Sequence, residues 1–248
     1  MKILVCISNV PDTTTRITFK DNNTALDTSG IQWIINPWDE LALTRAMELK
    51  EKSGKVDKVT VITVGDKTVE PTLRKALAIG ADEAVRIDTI PKDAFSVADE
   101  MARYLKDHPF DIILAGIESS DYNSSAVGGM LAELLDMASV SSVSSLNFED
   151  DEIVLTREIE GGKETLSHPV PFVAVVQKGI ALDPRIPAMR GIMMARKKPL
   201  EVVPAAGTDA LVTYDSYQLP EPKGACKMYG VDETAKLLED LDKKASIF

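Results

Sequence analysis

The chain has 248 residues, 44% hydrophobic and 27% charged, with 14 glycines, 13 prolines and two cysteines; this composition fits a globular protein and excludes a collagen, a disulfide scaffold and a disordered acidic tail. Its 28 Lys and Arg against 39 Asp and Glu leave a net charge of −11, which repels a phosphate backbone and sets nucleic acid aside as a partner. Length alone permits one large domain or two small ones.

In chain order, residues 2–8 (KILVCIS) are a short apolar run stopped by Asn9 and Pro11, the pattern of a central strand covered on both faces. The run is too short for a signal-peptide core of about 7 to 15 residues, and no stretch nears the roughly 18 apolar residues of a membrane span. Cys6 and Cys226 stand in no metal-ligand spacing and could form at most one bridge. A cytoplasmic protein that is not membrane-embedded is therefore expected. A hairpin is predicted around residues 16–24, and the apolar IQWII ends at Asn36-Pro37, where an amide cap and a first-turn proline open a helix. That helix carries the stripe Ala42, Leu43, Ala46 and Leu49.

Residues 58–65 predict the next strand, followed by a helix with Val69, Leu73, Ala76 and Leu77 that Gly80 stops as a left-handed cap. A short strand near residues 84–88 leads to a helix with Ala94, Val97, Met101, Tyr104 and Leu105, then to strand 111–116. Beyond the loop ESSDYNSS comes a helix with Val127, Met130, Leu131 and Leu134 on one face. Residues 139–162 alternate polar with apolar around an acidic turn, which suits antiparallel strands at a sheet edge. Strand 171–176 returns to the core, and a Met- and Arg-rich stretch broken by Pro184 and Pro187 then reads as exposed. After Pro204 an arm without apolar periodicity precedes a last amphipathic helix over residues 232–244. The fold class is α/β: a doubly wound, mostly parallel sheet with helices on both faces, an antiparallel edge extension and a C-terminal arm. The expected division is an α/β domain over residues 1–203 and an arm over 204–248 that packs on another subunit.

Ligands of such sheets sit beyond the carboxyl ends of the strands. Three ends carry suggestive residues: 6–9, Val64-Gly65 and 116–125. In the last, Ser119, Ser120, Asp121, Asn123, Ser124 and Ser125 precede a helix N-terminus, offering hydroxyls and backbone N–H groups to an anion, with Gly128 and Gly129 allowing close approach. A well-capped helix with small packing residues accounts for the same pattern, and both readings stay open. No Lys, Arg or His occurs between Asp111 and Thr156, so a nucleotide here would be held and left uncut. His108 and His168 each precede a proline in a predicted turn and read as structural. Asn36-Pro37-Trp38 reads as a capped helix with a partly buried indole, and residues 157–164 as a hairpin turn with solvated charges. MRGIMMARKK, residues 189–198, is either an adaptable docking surface or a cationic helix end.

The opening KILVCISNVPD, INPWDELAL at 35–43, ALAIGADEA at 76–84, REIEGGKETL at 157–166 and the DPR…IMxAxKK tract ending at Lys198 occur in an order similar to that of the beta (small) subunits of the electron transfer flavoprotein family. The resemblance implies a heterodimer with an alpha subunit that holds most of a redox FAD, while this chain holds a structural AMP. It places the AMP contacts at Cys6, Asn36, Pro37, Trp38, Asp39, Val64, Gly116, Ser119, Ser120, Asp121, Asn123, Ser124, Ser125 and Val127. Trp38 would lie near the flavin's dimethylbenzene edge, and Glu158 would face an alpha-subunit arginine near the isoalloxazine. Met189, Arg190 and Ile192 would dock on acyl-CoA or similar dehydrogenases, and a membrane quinone oxidoreductase would take the electrons. The loop 121–128 lacks the glutamine and second aspartate common in that family, whereas EGGKE resembles the branch with one flavin. The alternatives are an electron-bifurcating subunit that binds a second FAD and oxidises NADH, and an adenylate-binding regulatory module.

Overall fold

The computed structural model describes residues 1–150 and 152–245. Asp151 of the predicted acidic turn and the last three residues of the arm lie outside the described residues. The chain runs β1 (Lys2–Cys6), β2 (Asn9–Pro11), β3 (Phe19–Lys20), β4 (Ala25–Leu26), β5 (Trp33–Ile35), α1 (Pro37–Ser53), β6 (Lys58–Val64), α2 (Glu70–Ile79), β7 (Glu83–Asp88), α3 (Ala94–Asp107), β8 (Ile112–Gly116) and α4 (Val127–Leu134). It continues with β9 (Ala138–Glu149), β10 (Glu152–Ile159), β11 (Gly162–Ser167), β12 (Phe172–Val176), α5 (Met189–Ala195), β13 (Leu200–Pro204) and α6 (Thr234–Ala245).

Nine strands form one sheet in the order β11-β10-β9-β12-β8-β1-β6-β7-β13. Pairing is parallel from β9 through β12 to β13, and β10 and β11 extend the sheet as an antiparallel edge. The central strands are continuous apolar runs because helices cover both faces. In β1, Ile3 and Val5 join a core with Leu43, Ala46, Leu73 and Leu77 of α1 and α2, while Leu4 and Cys6 join one with Met101, Leu105 and Leu131 of α3 and α4. Burying each of these large side chains contributes about 1.5–3 kcal/mol. The doubly wound reading thus holds, as does the predicted hairpin, seen as the β3–β4 pair.

Four local expectations are corrected. Asn36 makes no side-chain cap on α1, because its amide is engaged by distant backbone, as described below. Gly80 ends α2 at φ 156°, ψ −22°, outside the left-handed helical region; Gly54, which ends α1 at φ 64°, ψ 2°, is left-handed. Met130 is exposed, while Gly128, Leu131 and Ala132 are the buried residues of α4 and Val127 and Leu134 pack against the same core. Finally, β13 is a strand that the sequence pattern does not announce: it pairs in parallel with β7 at the sheet edge. Just before it, Lys198 Nζ donates to the carbonyls of Leu77, Gly80 and Ala81 at 3.0, 3.0 and 2.6 Å, satisfying acceptors that the end of α2 leaves open.

Candidate nucleotide cleft

From β1 the chain goes to β6 and β7 on one side, then returns to β8 on the other. The carboxyl ends of β1 and β8 therefore flank the topological switch point, where a parallel sheet opens a crevice. The three suggestive strand ends lie side by side, since β8, β1 and β6 are neighbours.

The first turn of α1 plugs into this crevice. Asp39 is buried and accepts the Ser8 N–H at 2.7 Å and the Gly116 N–H at 3.0 Å, tying the ends of β1 and β8 to one carboxylate. Asn36, also buried, donates from Nδ2 to Glu118 O at 2.8 Å and accepts the Ser120 N–H at Oδ1, 3.2 Å away. Gly116 has to be glycine, because a Cβ there would run into Asp39 Oδ1 and Trp38 Cβ. Burial pushes the Asp39 carboxyl up to about 7, although the N–H groups of Ser8 and Gly116 and the Asn36 side chain pull the other way. Burial, with Asp39 beside it, also pushes the Cys6 thiol far up, which leaves it an unreactive packing group.

The predicted contact residues therefore divide into three groups. Cys6 and Val64 are buried in one apolar cluster against which Val127 packs, and they form a floor. Asn36 and Asp39 brace the backbone of residues 116–120, with Pro37 and Trp38 half-buried beside them. Ser119 is half-buried, and Ser120, Asp121, Asn123, Ser124 and Ser125 line the exposed rim. Asn123 and Ser125 both take φ 50°, and the Asn123 N–H donates to Ser119 O at 2.8 Å, folding the loop back on itself. Among the described residues no side chain caps α4, so its first backbone N–H groups and positive dipole end face the rim. Gly128 serves packing, because a Cβ there would meet Val175 Cγ2 at 2.8 Å, whereas Gly129 has open space.

Other predicted residues lie elsewhere. Glu158 is on β10, with β9 and β12 between it and β8, and its carboxylate is 3.6 Å from Lys163 Nζ. Met189 (76% exposed) opens α5, with Arg190 exposed next to it. Ile192 lines a groove of about 370 Å³ with Arg74, Lys75, Pro187 and Arg196. The segment is pinned below: Arg74 donates to Ala195 O and Lys198 O at 2.8 Å each, and a Cβ on Gly191 would meet Ala78 O at 2.5 Å. Leu182, Ile186, Met189 and Met193 are left facing outward. His108 and His168 stay local, stacked on Tyr104 and edge-on to Phe172.

Sequence reasoning missed the acidic clasp on α3. Glu100 accepts the N–H groups of Ala206, Gly207 and Thr208, each at 2.8 Å, and Asp93 accepts those of Leu211 and Val212 at 2.8 and 3.0 Å. Burial opposes ionisation of both carboxyls, but these N–H groups outweigh it and hold them below the ordinary range. A buried glutamate at helical spacing was the available signal, since such a group needs partners.

Residues 23–208 match the family model described as "Electron transfer flavoprotein domain". The chain is 37% identical over 205 residues to "Electron transfer flavoprotein subunit beta" of Bacillus subtilis (strain 168), covering 81% of this chain and 78% of that one. It is 35% identical over 228 residues to the protein of that name from Syntrophomonas wolfei (91% and 88% covered) and 32% identical over 209 residues to the human one (82% and 81%). With the family model spanning most of the switch-point sheet and its cleft, the chain belongs to the electron transfer flavoprotein family.

Proposed function

We propose that the chain is the beta half of a heterodimeric electron carrier and is not an enzyme by itself. It pairs with an alpha subunit that holds most of a redox FAD, keeps AMP in its own cleft, and carries electrons from acyl-CoA or related dehydrogenases to a membrane quinone oxidoreductase. The observation that carries this reading is the far end of the chain: Leu219, Met228, Val231, Leu238 and Leu241, in the arm and α6, stay exposed. Apolar side chains exposed along one segment suit a second surface, and the relatives named "subunit beta" support reading that surface as another subunit.

The residues of the cleft suit an adenine nucleotide. Its anionic end fits the uncapped N–H groups of α4 and the hydroxyl of Ser124, while the Ser125 hydroxyl donates to Glu118 Oε2 at 3.3 Å, and the floor of Cys6, Val64 and Val127 is apolar. With no cation between Asp111 and Thr156, these residues bind and do not activate a phosphate. Asn36 and Asp39 act one step back, by shaping the backbone that does the binding. FAD, when bound, supplies the one- and two-electron chemistry; this chain supplies the half-buried Trp38 face, the Glu158 carboxylate and the Met189 surface for docking. No helix among the described residues is long and apolar enough to cross a membrane.

The test is co-expression with the alpha subunit, followed by acid release and counting of every nucleotide per heterodimer. One FAD and one AMP are expected. Two FAD would replace this reading with an electron-bifurcating oxidoreductase, and a stable solitary chain holding only an adenine nucleotide would replace it with an adenylate-binding module.

A further inference from the structure

Four aromatic rings from three distant segments line up beside the cleft. Phe19 of β3 stacks on Tyr217 of the arm, with centroids 5.1 Å apart and planes at 14°. Tyr217 faces Tyr214 at 6.1 Å and 19°, and Tyr214 meets Tyr122 of the cleft loop at 5.1 Å and 39°. The Tyr217 N–H also donates to Asn23 O at 2.8 Å, in the turn between β3 and β4. Partial burial against these rings pushes the Tyr122 hydroxyl up, and the neighbouring Tyr217, Asp121 and Tyr214 add to the effect. With the α3 clasp holding residues 206–212, the first part of the arm is thus fastened at both ends and crosses the outer side of the cleft.

The loop has few other holds. Its residues 120–125 are exposed, and Asn123 and Ser125 keep a left-handed backbone that side chains rarely adopt unaided. Ile117 before the loop and Val127 after it pack on the core, while Tyr122, the one aromatic residue among residues 117–126, ties the exposed stretch between them to the arm through Tyr214.

We propose that Tyr214 and Tyr217 are positioning residues for the cleft: through Tyr122 they fix loop 118–126 in the shape that presents the α4 N–H groups, and they set how fast a bound adenine nucleotide leaves. This rests on reading the cleft as a nucleotide site. The test uses the co-expressed heterodimer and follows two readouts in wild type, Tyr214→Ala and Tyr214→Phe: hydrogen exchange of residues 118–126 and release of AMP on ultrafiltration. Loss of one ring contact should speed both by about three- to tenfold in Tyr214→Ala, and Tyr214→Phe, which keeps the ring, should restore wild-type rates. Unchanged exchange in Tyr214→Ala overturns the proposal, and so does faster exchange with unchanged release. If the wild-type heterodimer carries no adenine nucleotide, the nucleotide reading and the release half of the proposal both fail. Exchange alone then decides whether the ladder holds the loop.

Discussion

At the scale of single residues, Asp39 sets the character of the cleft. Its carboxyl ionises near pH 7 in the folded chain, whereas in the unfolded chain it does so at about pH 4. Between those values the folded state holds the extra proton, so the stability Asp39 contributes is full below about pH 4 and is lost as the pH rises to 7. Asp39→Asn cannot titrate and should flatten that fall. Urea midpoints at pH 5 and pH 8 check this, and an equal fall in both proteins would show that Asp39 titrates as an ordinary surface acid. Asp93, Asp99 and Glu100 have lowered pKa values, so their contribution is present above about pH 4 and is lost as the pH falls through their folded values, in a separate window. The sequence pointed to Asn36 and Asp39 but gave Asn36 a local duty. An amide before Pro37 looks like a cap because capping is the commonest short-range use of that residue. Its partners Glu118 and Ser120 are more than 80 residues away, and no local pattern shows a bond of that span.

At the scale of elements, strong periodicity was legible and weak edges were not. β1, β6, β8 and β12 are buried almost throughout and appear in the sequence as unbroken apolar runs. β13 does not, since Leu200–Pro204 is exposed or half-exposed at every position and ends in proline, as suits an edge strand. The helix α3 was read for its apolar stripe, and its acidic face for nothing. That face fixes the start of the arm. Glu100→Gln keeps the size of the side chain but turns an amide NH₂ toward backbone donors, leaving at least one N–H without an acceptor at a cost of about 1–3 kcal/mol. The expected outcome is earlier thermal unfolding together with protease cleavage within residues 205–212. Cleavage at the wild-type rate would show that other contacts hold this stretch.

At the scale of the whole molecule, the chain consists of a body completed by the first part of its arm and a remainder with exposed apolar side chains, which the proposed function assigns to a partner. The fastened stretch ends near Tyr217, beyond which Leu219, Met228 and Val231 are exposed. A chain ending at Tyr217 should therefore keep the thermal midpoint of the full chain while failing to co-purify with the alpha subunit. A large drop in the midpoint would mean that residues 218–248 stabilise the body itself. The overall architecture was legible because alternating strands and helices allow few topologies. The aromatic ladder was not, because Phe19, Tyr122, Tyr214 and Tyr217 share neither an element nor a spacing.

The late position of β13 has a consequence for biosynthesis. The sheet edge beside β7 stays unpaired, and the α3 carboxylates stay without their backbone donors, until residues 200–212 have left the ribosome. Segments leave the ribosome in chain order, so the strand and clasp are made before residues 218–245, whose exposed Leu219, Met228 and Val231 the proposed function assigns to a partner. The order of synthesis thereby shortens the time in which an adhesive segment is exposed on an unfinished body.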